Sequence, residues 1–325
     1  MSLEDQTSSS ATGKKPNPPR KHHFIPQFLL GQWTTNDGKL WRFMQPAPGK
    51  IAVKSVSPAE IGYEEYLYAT PGLPPEKAQQ VEQHFMSPLD SLAADAQQML
   101  LAGQASKMPQ KERSSWSRFI MSQWFRTPAG LSYFKEAMGL VLKARDEPLN
   151  ARYQEIRKEG DPERLEDAIA ALGPDFAEGA AMDLLRRMSD DPKLGHKLNN
   201  MRWFVVDILA GDELLISDAA FQQSQAGILS PQGYMTIPIA PRKLFVAVTR
   251  QSTADAIRAI PVAELARRNN SAVVRHASIF VGATDRSQEG FIREHFGKEE
   301  HRTMIRSLAE EYRSDAKGGE DSTNG

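Results

Sequence analysis

Apolar and polar positions change period twice along this chain. Between Lys21 and Pro74 the apolar residues come in short runs. Lys21-His22-His23-Phe24-Ile25-Pro26-Gln27-Phe28-Leu29-Leu30 opens the folded part, and Pro26 is placed to start a short helix carrying Phe28, Leu29 and Trp33 inward. Strand-like pieces follow at Lys39 to Phe43, Ile51 to Ser55 and Tyr63 to Ala69, the first preceded by Asn36-Asp37-Gly38, a turn-forming triplet. From Pro75 the spacing becomes helical. Val81, Phe85, Leu89, Leu92 and Ala96 fall on one face, as do Trp116, Phe119, Ile120 and Trp124. Thr127-Pro128 reads as an N-cap followed by proline in the first helical position, so one helix stops near Arg126 and another starts. Helical signals continue, interrupted at Gly-Asp-Pro and Gly-Pro-Asp, to about Asn200.

At Met201 the period changes again. Trp203 to Leu209 is apolar on both faces apart from Asp207, which predicts a central strand in which a buried Asp207 needs a partner. Gly211-Asp212 turns the chain, and Leu214-Leu215-Ile216 is expected to return as the hairpin partner. Further strands are expected at Met235 to Ile239, Leu244 to Thr249 and Ser278 to Gly282. Helices are expected from Pro261 to about His276 and from about Lys298 to Arg313. The pattern predicts an α+β fold: a mixed or antiparallel sheet built from N- and C-terminal strands, with a large helical middle region. The boundaries read as 1–20 for a disordered arm, 21–74 for the first helix and strands, 75–200 for the helical region, 201–313 for the part completing the sheet, and 314–325 for a disordered tail.

Composition narrows the function classes. At 325 residues, 40% hydrophobic and 25% charged, the chain has the makeup of a folded protein, and a net charge of -1 gives no basic footprint for nucleic acid. The absence of cysteine excludes disulfides, thiolate metal sites and a cysteine nucleophile. No apolar run has the length of a signal-peptide core or a membrane span, so the expected location is the cytoplasm. No P-loop, dinucleotide glycine fingerprint, HExxH or kinase motif occurs.

Four segments carry a resemblance. They are His22-His23-Phe24-Ile25-Pro26-Gln27-Phe28-Leu29; Phe119-Ile120-x-x-Gln123-x-x-Arg126-Thr127-Pro128; Trp203 through Ile216-Ser217-Asp218; and Ile237-Pro238-Ile239-Ala240-Pro241, with Asn269 or Asn270 a looser match in the following helix. Together they resemble the domain of unknown function 4238 family, mainly bacterial. Where that family often continues Ser-Asp with Asn-Pro, this chain has Ala219-Ala220. The resemblance implies no activity.

The candidate chemistry lies in the same segments. His22 and His23 offer two imidazoles for a metal or a phosphate, although neighbouring side chains point apart. Gln123 falls on the apolar face with Trp116 and Ile120, which predicts a buried amide, and Arg126 lies close enough to share a carboxylate or phosphate with it. Ser217 and Asp218 end a strand: Ser217 lacks a G-x-S-x-G elbow, and Asp218 suits a metal ligand, a base or a helix cap. The compact spacing of a His-Asn-His nuclease is absent, and Glu82 and Asp90 read as solvated.

Two readings emerge. In the first, the chain is a hydrolase or nuclease-like effector. His22, His23 and Asp218 are its catalytic residues, Gln123, Arg126 and Ser217 hold a phosphate-bearing ligand or nucleic acid, and there is room for a divalent metal. In the second, it is a non-catalytic anion-binding, regulatory or structural protein. The sequence does not decide whether the chain is an enzyme. The first reading requires His22 or His23, Arg126 and Asp218 to meet, and it requires Arg126→Ala and His23→Ala to remove function without harming the fold.

Overall fold

The computed structural model describes residues 20–70, 73–74, 78–143, 147–173, 175–301 and 310. The arm before Arg20, the tail, and most of the helix expected from Lys298 to Arg313 lie outside them. Strands in chain order are β1 (Lys21–His23), β2 (Leu40–Ala47), β3 (Lys50–Val56), β4 (Tyr63–Glu65), β5 (Arg202–Asp207), β6 (Ile216–Ser217), β7 (Gln222–Gln223), β8 (Tyr234–Ala240), β9 (Lys243–Val248) and β10 (Val281–Ala283). Helices are α1 (Gln27–Leu30), α2 (Ser87–Leu101), α3 (Gln110–Ser122), α4 (Pro128–Lys143), α5 (Glu147–Ile156), α6 (Leu165–Ala171), α7 (Phe176–Ser189), α8 (Pro192–Asn199), α9 (Gln251–Arg258), α10 (Val262–Arg275) and α11 (Glu289–His295). The fold is α+β with antiparallel sheets.

One four-stranded sheet, ordered β3-β2-β10-β6, joins strands from both ends of the chain. Gly282 sits at its centre because a Cβ there would lie 2.9 Å from Ile216 and 3.1 Å from Leu40, closer than those side chains allow. The β2–β3 register shifts between Met44 and Ala47, at the point where Pro46 cannot donate to the ladder. A second four-stranded sheet, β5-β9-β8-β7, is built from the C-terminal half alone. Pro238 is accommodated in β8 because β7 pairs only with Met235 and Thr236. β1 and β4 form a separate two-stranded ribbon.

Two expectations for the C-terminal half are corrected. β5 is an edge strand, and its partner is β9, from Arg202 opposite Val248 to Asp207 opposite Lys243. Its apolar character on both faces comes from cover above and below. The Arg113 guanidinium sits 3.8 Å over Trp203 on one side, and the Arg258 guanidinium sits 4.2 Å over Phe204 on the other. Asp207 is exposed and pairs with Lys243 at 2.5 Å. The segment expected to return beside β5 instead enters the other sheet, where Ile216 and Ser217 pair with Gly282 and Val281.

The main core gathers the aromatic residues of the helical middle with those of both ends: Phe24, Trp33, Trp116, Phe119, Phe125 and Phe280 are all essentially without exposed surface. Polar links cross the same boundary, with Trp33 donating its indole N–H to the Leu214 carbonyl at 2.7 Å and Gln97 its amide to that of Ile239 at 2.9 Å. Alternate residues of β9 face opposite ways. Phe245 and Ala247 join the main core, while Val246 and Val248 pack under α9 and α10.

Candidate functional site

The His-His opening forms β1, and its two imidazoles diverge as neighbours on a strand must. His22 is fully buried, accepts the Tyr68 backbone N–H at Nδ1 (3.0 Å) and stacks on the Tyr68 ring at 5.6 Å. His23 is hydrogen-bonded to the Pro58 carbonyl, while its Nε2 is buried without a partner among the described residues. Burial lowers its pKa from 6.5 to about 4, the Pro58 bond opposes that, and the Arg126 charge adds to it.

Arg126 lies just past the C-terminus of α3 and turns its side chain into the core, where it is fully buried. Its guanidinium grips Asp90 of α2 in a bidentate pair at 2.5 and 2.7 Å and donates to the His23 carbonyl at 3.1 Å. The Tyr68 hydroxyl donates to the Arg126 carbonyl at 2.9 Å. Burial alone would depress the guanidinium pKa; the Asp90 carboxylate more than reverses that and holds it above its ordinary value. Glu82, also buried, has its pKa raised by burial, with the Ser87 hydroxyl bond at 2.9 Å acting against that. Glu82 is therefore buried and Asp90 only partly exposed; the helix face assigned to solvent packs against Arg126, which also holds the His23 carbonyl. Arg126 and His23 meet, as the first reading requires, but through a backbone carbonyl.

Ser217 and Asp218 end β6. Ser217 is fully buried, donates its hydroxyl to the Val273 carbonyl (2.9 Å) and accepts the Ala219 N–H (3.0 Å). Asp218 accepts from the Ser278 N–H (2.9 Å), the Ser278 hydroxyl (2.6 Å), and the Ile279 and Phe280 N–H groups (both 3.0 Å). Four donors on two oxygens occupy the carboxylate, which fixes the chain entering β10. Asn270 of α10 holds the chain ahead of β6, accepting the Leu215 N–H and donating to the Glu213 carbonyl and the Gln288 side chain.

Gln123 departs from its expected burial. It sits one residue past the end of α3 and is half-buried, while Trp116 and Ile120 take the core positions. Its amide donates to the Phe119 carbonyl at 3.3 Å. Its remaining surface faces a cleft shared with Thr127 and one side of Asp218.

This cleft has a narrow neck of about 30 Å³ between Gln123, Trp124, Phe221 and Gln223. Two wider lobes of about 370 and 430 Å³ adjoin it, the first sharing Thr127 and Asp218 with it and the second Gln223, and His301 borders all three spaces. The rings of His276 and His301 stack at 5.1 Å and 15°. Burial and then the neighbouring His276 lower the His301 pKa to about 4, and burial lowers that of His276 against the pull of Glu299. His276 Nδ1 lies 3.3 Å from the Gln222 side-chain oxygen, and the nitrogen of that same amide donates to the Ala219 carbonyl. The carboxylates of Asp218, Glu299 and Glu300 line the lobes, and neither Lys nor Arg does among the described residues. Among those residues no three His, Asp or Glu side chains group as a metal site, and no helix is long and apolar enough to cross a membrane.

Of the residues singled out from sequence, Gln123 and Asp218 border the cleft, whereas His22, His23, Arg126 and Ser217 support the surrounding fold. Gln223, His276 and His301 were missed. The run Gln222-Gln223-Ser224-Gln225, polar between buried Phe221 and Ile228, was the available signal for the first.

The sequence that builds this α+β fold matches a defined family. The family described as a protein of unknown function (DUF4238) covers residues 21–287, and the chain belongs to it. No curated protein and no solved structure matches the chain.

Proposed function

We propose that this chain is a non-catalytic ligand-binding protein whose cleft takes a small polar molecule, with the family-like motifs holding the frame around it. One observation carries the reading: the two charged groups a phosphate-acting hydrolase would use, Arg126 and Asp218, are already engaged by protein. Arg126 is engaged by Asp90 on two bonds, and Asp218 by four donors. The cleft, in contrast, presents amides and imidazoles with capacity to spare. The lowered values of both histidines keep them neutral at pH 7, and with no Lys or Arg on the described lining this does not suit a phosphate. Equilibrium dialysis against a pool of small metabolites tests the proposal. The protein should retain a small molecule that a His301→Ala variant does not. Turnover of a phosphodiester or phosphomonoester substrate, lost on replacing His23, would instead restore the hydrolase reading.

A further inference from the structure

Two amide groups in the neck are left half used, and their orientations are fixed. The Trp124 indole can only donate, and its N–H reaches the Gln223 side-chain oxygen at 2.9 Å, so Gln223 turns its NH₂ outward. The Phe119 carbonyl can only accept, and it holds the Gln123 nitrogen at 3.3 Å, so Gln123 presents its oxygen. Neither the Gln223 Nε2 nor the Gln123 Oε1 has a hydrogen-bond partner among the described residues. Both side chains line the same space of about 30 Å³, walled by Trp124 and Phe221, whose rings meet edge-on at 6.2 Å. Thr127, Asp218 and His301 border the same space. Between the apolar walls the neck therefore sets one unused amide donor and one unused amide acceptor, with room for a single small group rather than a ring.

We infer that the neck recognises a neutral carboxamide on a small ligand, taking its C=O on Gln223 and its N–H on Gln123, with the rest of the molecule in the wider lobes. This rests on the cleft being a binding site, as proposed above. A carboxylate in the same place could accept from Gln223 but would set a charge against the Gln123 oxygen near Asp218. An ammonium could donate to Gln123 but would leave the Gln223 NH₂ facing a like polarity. A carboxamide satisfies both, and an analogue that leaves one of them unpaired in an enclosed site binds roughly tenfold or more weakly.

Nuclear magnetic resonance titration of the full chain with nicotinamide, nicotinate and 3-pyridylmethanol tests this, because the three share a ring and differ in the group offered to the neck. The side-chain amide signals of Gln123 and Gln223 should shift with nicotinamide at roughly tenfold lower concentration than with the other two. Gln223→Glu keeps the acceptor for Trp124 and removes the donor, and it should abolish the preference. Gln123→Met does the same from the other side, should Gln223→Glu prove unfolded by its thermal melt. Equal response to nicotinate or the alcohol would overturn the carboxamide inference and leave the cleft a binding site. No perturbation near Gln123, Gln223 or His301 by any of the three would overturn both.

Discussion

Arg126 shows how a residue type can be legible while its job is not. Its position at the end of a helix beside an apolar face marked it as more than a surface cation. The sequence could not show that Asp90, 36 residues earlier on another helix, would face it at 2.5 Å. A carboxylate in the first turn of α2 reads as solvated until Arg126 packs against it. Arg126→Met should therefore destabilise the protein by about 3 to 5 kcal/mol, because it leaves Asp90 partly buried and unpaired. Urea unfolding with an unchanged slope is the measurement, and a folded, fully stable variant would remove the structural role. His23 gives a pH dependence with a definite sign. Its folded pKa, about 4, lies below the ordinary 6.5, so as pH falls the unfolded chain binds the proton first. The stability from keeping the ring neutral is whole above about pH 6.5 and is lost between there and about pH 4. It amounts to about 2 kcal/mol once the ring's partial exposure is allowed for. The melting temperature should fall across that window, and His23→Asn should flatten the fall, measured by calorimetry from pH 7 to 4.5.

At the scale of elements, periodicity located most helices and strands because it reports which face is buried. It could not report which strand lies beside which. β5 has both faces covered and so looks central, yet its cover comes from Arg113 on one side and Arg258 on the other, at the edge of a sheet. The Ile216–Ser217 strand joins β10 because of the residue at its end. Asp218 binds three successive backbone N–H groups at Ser278, Ile279 and Phe280 and so sets the register of a strand 60 residues later. Such a link shows in the sequence only as a polar residue at a strand end, open equally to a catalytic reading. Asp218→Asn distinguishes the two. An amide cannot accept all four donors without turning its own NH₂ toward a backbone N–H, so stability should fall by about 2 to 4 kcal/mol. Loss of that size in chemical denaturation supports the structural role. An unchanged midpoint would return Asp218 to the set of candidate functional groups.

The whole molecule depends on contacts between its ends. β10 lies between β2 and β6, so the first sheet cannot exist without both halves of the chain. The Trp33 indole bonds to Leu214, the Gln97 amide to Ile239, and Trp116 meets Phe245 edge-on at 5.6 Å. Arg113 ties α3 to the end of α8 and the approach to β5 through the Asn199 and Met201 carbonyls, both at 2.7 Å, with its guanidinium 3.8 Å over Trp203. Apart from the Arg113–Asn199 bond, each link joins a residue before 200 to one beyond it. The compositional change near Met201 thus marks a change of local structure that the core does not respect. Residues 1–200 and 201–325, expressed separately, should each lack a cooperative thermal transition, because each exposes half of one aromatic core and an unpaired strand edge. Mixed, they should recover a single transition with near-ultraviolet circular dichroism from the buried tryptophans. Independent melting of either half would show that the links at Trp33, Gln97 and Arg113 join two separate cores, and would place the boundary near residue 200 after all.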